Sequence, residues 1–533
     1  MTDIEKAHGV IENLTSENAD LRSRLDAANG QIANLQYEVA YLRKQMFGRK
    51  TETRKVILSD GTEVTEIDLF NEAEAEAMPN APELEAATPV KGHVRRKKQK
   101  LSKEELLKTI PHEKEVIDAP ENDRHCEKHP GAEMKPLGEK LIRTEVRYIP
   151  AKVVAVDIYQ KSYQCPVCHD EDHFNVMKAP VPAPILDNSS IVSASLLAAV
   201  IHQKYEQAVP LYRQEKEWRA IGLPLTRATM ANWIIAASKY YFSLLAGHMR
   251  KILIEEDVLH ADETYIQVHK EKGKGNATKS YMWCYCSSPL GARHAIRLFQ
   301  YEKGRKGAYA EEFLKGFDGI LVRDQFAGYN QVTGVRHAGC WAHLRRYFVN
   351  AIPPGMKVRP ESLAGQAIAK IDEIFAIERE LKQASIDERQ KQRQERKKPL
   401  VDAFFAWAES SRSSAVPKSK IGAALNYALS ARKTFYTYLD DGRVSMSNAT
   451  AENAIRPFVI GRKNWMFSDS PRGAAASAAI YSLVETCKAN NLDPAKYFEA
   501  ILTRMPGEPF RQRPELLDEY MPWSKALQDN CRI

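Results

Sequence analysis

The sequence predicts a multidomain α/β protein, in which helical and metal-ribbon modules lead into a mixed sheet that carries the chemistry. Three observations support this. The first 48 residues repeat every seven, two short Cys/His pairs stand near 126 and 168, and beyond residue 257 the apolar period changes from helical to strand-like. At 533 residues the chain exceeds what one ordinary core holds, so several units are expected.

Composition narrows the class. Apolar content of 44% with 27% charged residues fits a soluble globular protein. No apolar run is long enough to span a bilayer, and "MTDIEKAHGVIENL" lacks the basic flank and apolar centre of a secretion signal. A cytoplasmic location with no membrane partner is the expectation. Eight cysteines are too few for a disulfide framework in a chain this long. The net charge of +8 is locally clustered, which favours a polyanionic partner.

Residues 1–48 read as a coiled coil. Ile11, Asn18, Leu25, Ile32, Val39 and Met46 fall on one seam position and Leu14, Leu21, Ala28, Leu35 and Leu42 on the other. This 3-4 spacing, with Asn18 on the seam, predicts a parallel homodimer or higher oligomer. The competing reading is one amphipathic helix packed on its own domain. Residues 49–110 read as a linker with room for one short helix. It is first acidic ("FNEAEAEAMPNAPELEAATP"), then basic ("KGHVRRKKQK"), and the basic run is either a solvated tail or a phosphate contact.

Over 111–182, Cys126 and His129 form C-x2-H, and Cys165 and Cys168 form C-x2-C. Two such pairs supply the four ligands of a tetrahedral structural Zn²⁺. The alternating stretch between them reads as the strands of a zinc-ribbon-like, DNA-binding domain. His125, His169 and His173 are rival ligands. Residues 183–250 read as three helices, the last capped by Thr226 and carrying Arg227, Asn232 and Trp233. That arrangement matches a DNA-binding helix-turn-helix, though many helical hairpins share the pattern.

Residues 251–490 hold the chemistry. "VLHADETYIQV", "SYMWCYC" and "ARHAIRLFQY" read as successive strands, "GAYAEEFLKGF" as a helix, and "GILVRD" as a fourth strand ending at Asp324. A three-strand meander followed by a helical crossover is how a ribonuclease-H-like core begins. There, an acid of the first strand lies close to one ending the fourth. Carboxylates brought that near repel each other, and a divalent metal is the usual remedy. Asp262 and Glu263 fall on opposite faces of the first strand, and alternation alone does not choose between them.

The candidate third acid is Glu452. Asn448, Glu452 and Arg456 recur at i, i+4 and i+8, which places them on one face of a helix that Pro457 is expected to keep short. The span from Asp324 to Glu452 is about twice that from Asp262 to Asp324, more than one crossover needs. A helical insertion at about 351–435 fills it, rich in Lys and Arg, with a basic face that is either solvated or set against DNA. Residues 491–533 form a C-terminal segment.

"MFGRKTE", "LFNEAEAEA", the Cys-pair region, "KYEQAVPLYRQE", "HADET", "FAGY", "GCWAHLRRYF", "NATAENAIRP", "GRKNWMFSDSPRGA" and "YSLVETCKANNLDP" follow one another along nearly the whole chain. Together they resemble the transposases of the insertion sequence 66 (IS66) family. The resemblance implies a DDE enzyme on a ribonuclease-H-like fold, with Asp262, Asp324 and Glu452 as the triad. It implies two Mg²⁺ ions about 3.5–4 Å apart, strand cleavage leaving a 3′-hydroxyl, and attack of that hydroxyl on target DNA. The implied partners are the terminal inverted repeats of a bacterial insertion sequence, target DNA, and accessory proteins of the same element. His343, paired with Cys340 as C-x2-H, is implied to lie near the centre.

His260 shares the face of Asp262 and is read as ordering the site or as packing. Arg462 and Lys463 in "GRKNW" are read as phosphate grips, and Trp465 as core. The chain departs from the family pattern at Ser447, at "RDQF" and in the C-x2-H knuckle, without losing an assigned acid. Two other functions fit many of the same features: a catalytically inactive DNA-binding regulator, and a nuclease that cuts without joining.

Overall fold

The computed structural model describes residues 3–47, short strands between 53 and 178, residues 153, 155–156 and 183–186, and then 191–271 and 279–533. Helix α1 (Asp3–Phe47) is continuous over 45 residues. Its seam side chains, among them Leu14, Leu21, Leu25, Leu35 and Leu42, remain 49–61% exposed. A different face, carrying Ala33 and Tyr37, is buried. The Tyr37 hydroxyl donates to the Lys357 carbonyl at 2.7 Å and accepts from the Arg359 N–H at 2.8 Å, while the Leu363 N–H donates to Asn34 Oδ1 at 3.1 Å. The helix therefore docks on its own chain with one face and leaves the heptad seam open.

The linker holds an antiparallel hairpin, β1 (Thr53–Ile57) with β2 (Glu63–Ile67), where at most a short helix was expected. β-Branched residues flanking an Asp-Gly pair explain the difference. Residues 88–155 form one compact unit, and 1–87 with 156–533 form the other. Within the smaller unit β3 (His125–Cys126) pairs antiparallel with β4 (His129–Glu133), with Cys126 opposite His129. In the larger one β5 (Ser162–Gln164) pairs with β6 (Val176–Lys178). The side chains of Cys126 and His129, all of Cys165 and Cys168, and the basic run 91–100 lie outside the described residues.

Helices α2 (Ala194–Tyr205), α3 (Leu211–Ala220), α4 (Arg227–Ala237) and α5 (Ser243–Leu253) follow, with Thr226 capping α4 through the Thr229 N–H at 3.1 Å. The central sheet contains β7 (Val258–Val268), β8 (Lys279–Ser287) and β9 (Arg297–Glu302) as an antiparallel meander. Helix α6 (Gly307–Phe313) then crosses to β10 (Ile320–Arg323), parallel to β7, and β11 (Arg336–Gly339) pairs parallel with β10. The order is β11-β10-β7-β8-β9. β8 is covered on both faces, so "YMWCYC" is a continuous apolar run instead of an alternating one.

Helix α7 (Trp341–Asn350) leads into the insertion, which comprises α8 (Leu363–Glu380), α9 (Ile386–Gln392), α10 (Lys398–Ser411) and α11 (Lys420–Ser430). Trp341 packs edge-on against Phe404, Phe405 and Phe435 at its centre. The basic character here is not all turned outward. Arg389, Arg393 and Lys397, spaced i, i+4 and i+8, are buried, the last two completely.

Arg393 Nε donates to Glu378 at 3.2 Å, and its Nη1 donates to the carbonyls of Tyr438 and Asp441 at 2.8 and 3.0 Å. Lys397 donates to Glu378 at 2.6 Å, and Arg389 to the Gly442 carbonyl at 3.2 Å. This row braces the segment that leads to Asn448. Burial alone would raise the Glu378 carboxyl, but the Arg393 hydrogen bond and the Lys397 charge hold it at about 2. Burial lowers Lys397 to about 8, outweighing the Glu378 charge and hydrogen bond that raise it, and the Arg393 charge adds to the lowering.

Helix α12 (Ala449–Trp465) runs straight through Pro457, against the expectation of a short segment. Ala454, Ile455, Phe458 and Val459 on either side of the proline are buried. At roughly 1.5–3 kcal/mol per large apolar side chain, that packing offsets the roughly 3 kcal/mol cost of an interior proline. β12 (Phe467–Ser468) pairs with the end of β7, followed by α13 (Pro471–Ala489), α14 (Pro494–Arg504) and α15 (Lys525–Asn530). Tyr205 of α2 meets Tyr481 of α13 edge-on at 5.2 Å, so the helices before the sheet pack on the sheet domain. Among the described residues no helix is long and apolar enough to cross a membrane.

Candidate active site

β10 covers the edge of β7 only as far as His260, and β12 resumes pairing at Gln267. Between them the free edge is spanned by α12. Asn448 Nδ2 donates to the Ala261 carbonyl at 2.9 Å, and near the far end Arg462 donates to the Tyr265 carbonyl. Two edge carbonyls that would otherwise lack partners thus hold the helix against the strand. The first turn of α12 carries Glu452, whose charge acts on Asp262.

The two neighbouring acids of β7 have different surroundings. Glu263 is buried, paired with Arg305 Nη2 at 2.6 Å, and accepts the Tyr329 hydroxyl at 2.5 Å. The Arg305 guanidinium also lies over the Phe326 ring, 3.9 Å from its centroid. Glu263 is therefore engaged in fixing the loop after β10. On the other face Asp262 is partly exposed, and its Oδ1 accepts the Glu263 backbone N–H at 2.9 Å. Asp324, just past β10, is buried and accepts the Phe326 N–H at 2.9 Å.

Glu452 lies with Oε1 3.1 Å from His343 Nδ1 and Oε2 3.6 Å from Arg346 Nη2. Cys340 Sγ accepts the N–H groups of His343 at 3.4 Å and Asn448 at 3.1 Å, joining the starts of α7 and α12. Asn448 heads α12 without capping it; its Oδ1 instead lies 3.1 Å from His260 Nδ1. Burial depresses the fully buried His260 to about 4, so it is neutral at physiological pH and donates from Nδ1.

The electrostatics separate the acids. Burial, then the charges of Glu263, Glu452 and Asp324, hold the Asp262 carboxyl well above the usual range. Burial also pushes on Glu452, yet His343, Arg346 and Arg456 outweigh it and hold that group at about 2. The repulsion that three other carboxylates exert on the partly open Asp262 is of the kind a divalent cation would relieve. Oxygen donors of this kind suit a hard ion such as Mg²⁺. Cys340, His343 and Glu452 also bring ligand atoms within 4.8 Å of one another, but these atoms already hold the two helix starts together.

Other expected residues stand elsewhere. Arg462 is buried against the Tyr265 carbonyl and so is withdrawn from any phosphate, whereas Lys463 is exposed. Arg456 is half-buried near Glu452. Arg227 and Asn232 are exposed on α4, which packs on α2, α3 and α13. Sequence reasoning missed Arg305, Tyr329 and Arg346. The i, i+3 spacing of His343 and Arg346 on one helical face was a usable signal for the last.

A family model described as transposase IS66 family matches residues 189–476, one described as IS66 C-terminal element matches 482–523, and one described as zinc-finger binding domain of transposase IS66 matches 123–169. The uncharacterized protein y4qI of Sinorhizobium fredii is 28% identical over 525 residues, covering 96% of this chain and 92% of its own. The uncharacterized protein y4hP of the same organism is 27% identical over 514 residues, covering 92% and 88%.

Proposed function

Because the chain belongs to the IS66 transposase family, we propose that it is a DDE transposase that cuts and joins DNA at Asp262, Asp324 and Glu452. The observation that carries the proposal is that acids from the end of β10 and the start of α12 both act electrostatically on Asp262 of β7. The sheet order, with an antiparallel meander flanked by two parallel strands, supports a ribonuclease-H-like core. Asp262, Asp324 and Glu452 would hold two Mg²⁺ ions, which supply activation of the attacking oxygen and stabilisation of the leaving one.

The chain's own residues then have distinct tasks. Arg305 and Tyr329 engage Glu263, so Asp262 alone faces the substrate side. His343 and Arg346 keep Glu452 ionised and aimed. Neutral His260 orients Asn448, which fixes the start of α12 one residue from Asp262. The substrates are the terminal inverted repeats of a bacterial insertion sequence and target DNA. The zinc-finger match supports a structural Zn²⁺, held in our reading by Cys126, His129, Cys165 and Cys168. Arg227 and Asn232 on α4, and Lys463, would contact DNA. The open seam of α1 would pair with a second copy in a coiled coil.

The test incubates the protein with Mg²⁺, labelled terminal repeats and a target plasmid. Joined products that vanish with Asp324→Ala are expected. Tight end-binding without cleavage in any divalent metal would point to a regulator, and nicking without joining to a nuclease; either overturns the proposal.

A further inference from the structure

Helix α12 ends at Trp465, and Met466 follows with φ 61° and ψ −45°. That is close to the strained γ-turn, which residues with a side chain seldom adopt. The turn places Met466 outward, 69% exposed, and Phe467 beside it is 43% exposed. Phe467 is not loose. Its ring stacks on His269 at 3.9 Å and 18°, and the β12–β7 pairing with a His269 N–H to Ser468 carbonyl bond of 3.0 Å fixes both to the sheet. A rigid apolar step on a strained backbone differs from a stray surface hydrophobe, because strain of this kind persists where surrounding structure enforces it.

The surroundings are cationic. Lys463 is exposed on the last turn of α12, and Arg472 is exposed in the first turn of α13, a 19-residue helix whose N-terminal dipole adds positive potential. Asp469 is neutralised by Lys270 at 2.6 Å. Exposed apolar side chains flanked in sequence by exposed cations suit a base with its neighbouring phosphates. Two side chains supply far less than the roughly 800 Å² per partner of a stable protein interface. Counting along β7 from Asp262 to Gln267 gives about 17 Å. Counting along α12 from Glu452 to Met466 gives about 21 Å. The two paths place the step about five to six base-pair rises from the acids.

We propose that Met466 and Phe467 form a stacking step for an unpaired nucleobase of the DNA being processed, a few nucleotides from the scissile phosphate. The inference rests on the transposase reading for its substrate. An aromatic ring and an unbranched thioether chain both offer flat, adaptable contact to any base, so the step selects unpaired structure over sequence.

The experiment uses the full chain and a forked duplex with an unpaired 3′ tail carrying 2-aminopurine at one position at a time. The fluorescence should change at one or two adjacent positions on binding. Met466→Ala and Phe467→Ala should remove that change and weaken fork binding about 5- to 150-fold, the worth of one base–aromatic stack, while binding to blunt duplex holds. Phe467→Trp should preserve the signal and Phe467→Leu should lose it, which separates stacking from packing. A position-specific signal unchanged in both alanine variants, or no signal at any position, overturns the proposal. So does a fall in oligomeric mass in the variants with the DNA signal intact, which would make the step a protein contact. Asp324→Ala should keep the fluorescence change, so a protein that stacks the base yet never cleaves refutes the transposase reading and leaves the step standing.

Discussion

Replacing Glu378 by Gln tests whether the insertion is held together by its inward basic row. Glu378 receives Arg393 and Lys397, both completely buried, and is itself largely covered. Gln keeps one acceptor oxygen and adds an NH₂ group facing donors, so at least one buried cation loses its partner. Breaking a buried pair by removing one partner costs about 3–5 kcal/mol, and that is the expected loss near neutral pH. The pH dependence is more specific than the magnitude. Glu378 titrates near 2 in the fold, below its unfolded value, so its contribution is present above about pH 4.5 and is lost as pH falls toward 2. On the alkaline side Lys397 gives up its proton near 8, and its share of the penalty disappears as pH rises through that value. Urea unfolding of both proteins from pH 3 to 9 measures this. A difference below about 1 kcal/mol at pH 6–7, or one that does not change across the range, would refute the bracing argument.

Asp262→Asn should abolish cleavage yet raise the melting temperature, measured by calorimetry at pH 7. Its raised carboxyl is a liability that grows as pH climbs above the unfolded value, and the amide removes it. If Glu452 holds metal as proposed, His343→Gln should weaken Mg²⁺ affinity about 10- to 100-fold, read as a shifted metal optimum, because His343 orients that carboxylate. Tyr37→Phe should cost about 1–3 kcal/mol, since the Lys357 carbonyl and Arg359 N–H lose their shared hydroxyl, without changing mass in light scattering. Leu21→Asp with Leu25→Asp should lower that mass to the monomer value while leaving the docked face intact.

The strands of the sheet and the place of Asp324 were legible because short apolar runs, a crossover helix and a strand-terminal acid are local patterns. The helix that carries Glu452 was legible through the i, i+4, i+8 spacing of Asn448, Glu452 and Arg456. What escaped depended on direction. Basic spacing marks Arg389, Arg393 and Lys397 as one stripe but does not say whether the stripe faces water or Glu378, a partner from another helix. Arg462 was read as a phosphate grip because its free-edge acceptor, the Tyr265 carbonyl, exists only once β10 stops short of it. Pro457 was given its local effect, and packing on both sides outweighed it. Arg305 lies in a loop, and no periodicity connects it to Glu263.

The central claim is that Asp262, not its neighbour Glu263, joins Asp324 and Glu452 in one metal-dependent site. The direct measurement is Mg²⁺-dependent strand cleavage and joining by Asp262→Asn, Glu263→Gln, Asp324→Asn and Glu452→Gln side by side, at a temperature where each is folded. Loss of about 10³-fold or more in the first, third and fourth is expected, with Glu263→Gln retaining activity to within about tenfold. An active Asp262→Asn beside a dead Glu263→Gln would contradict the account.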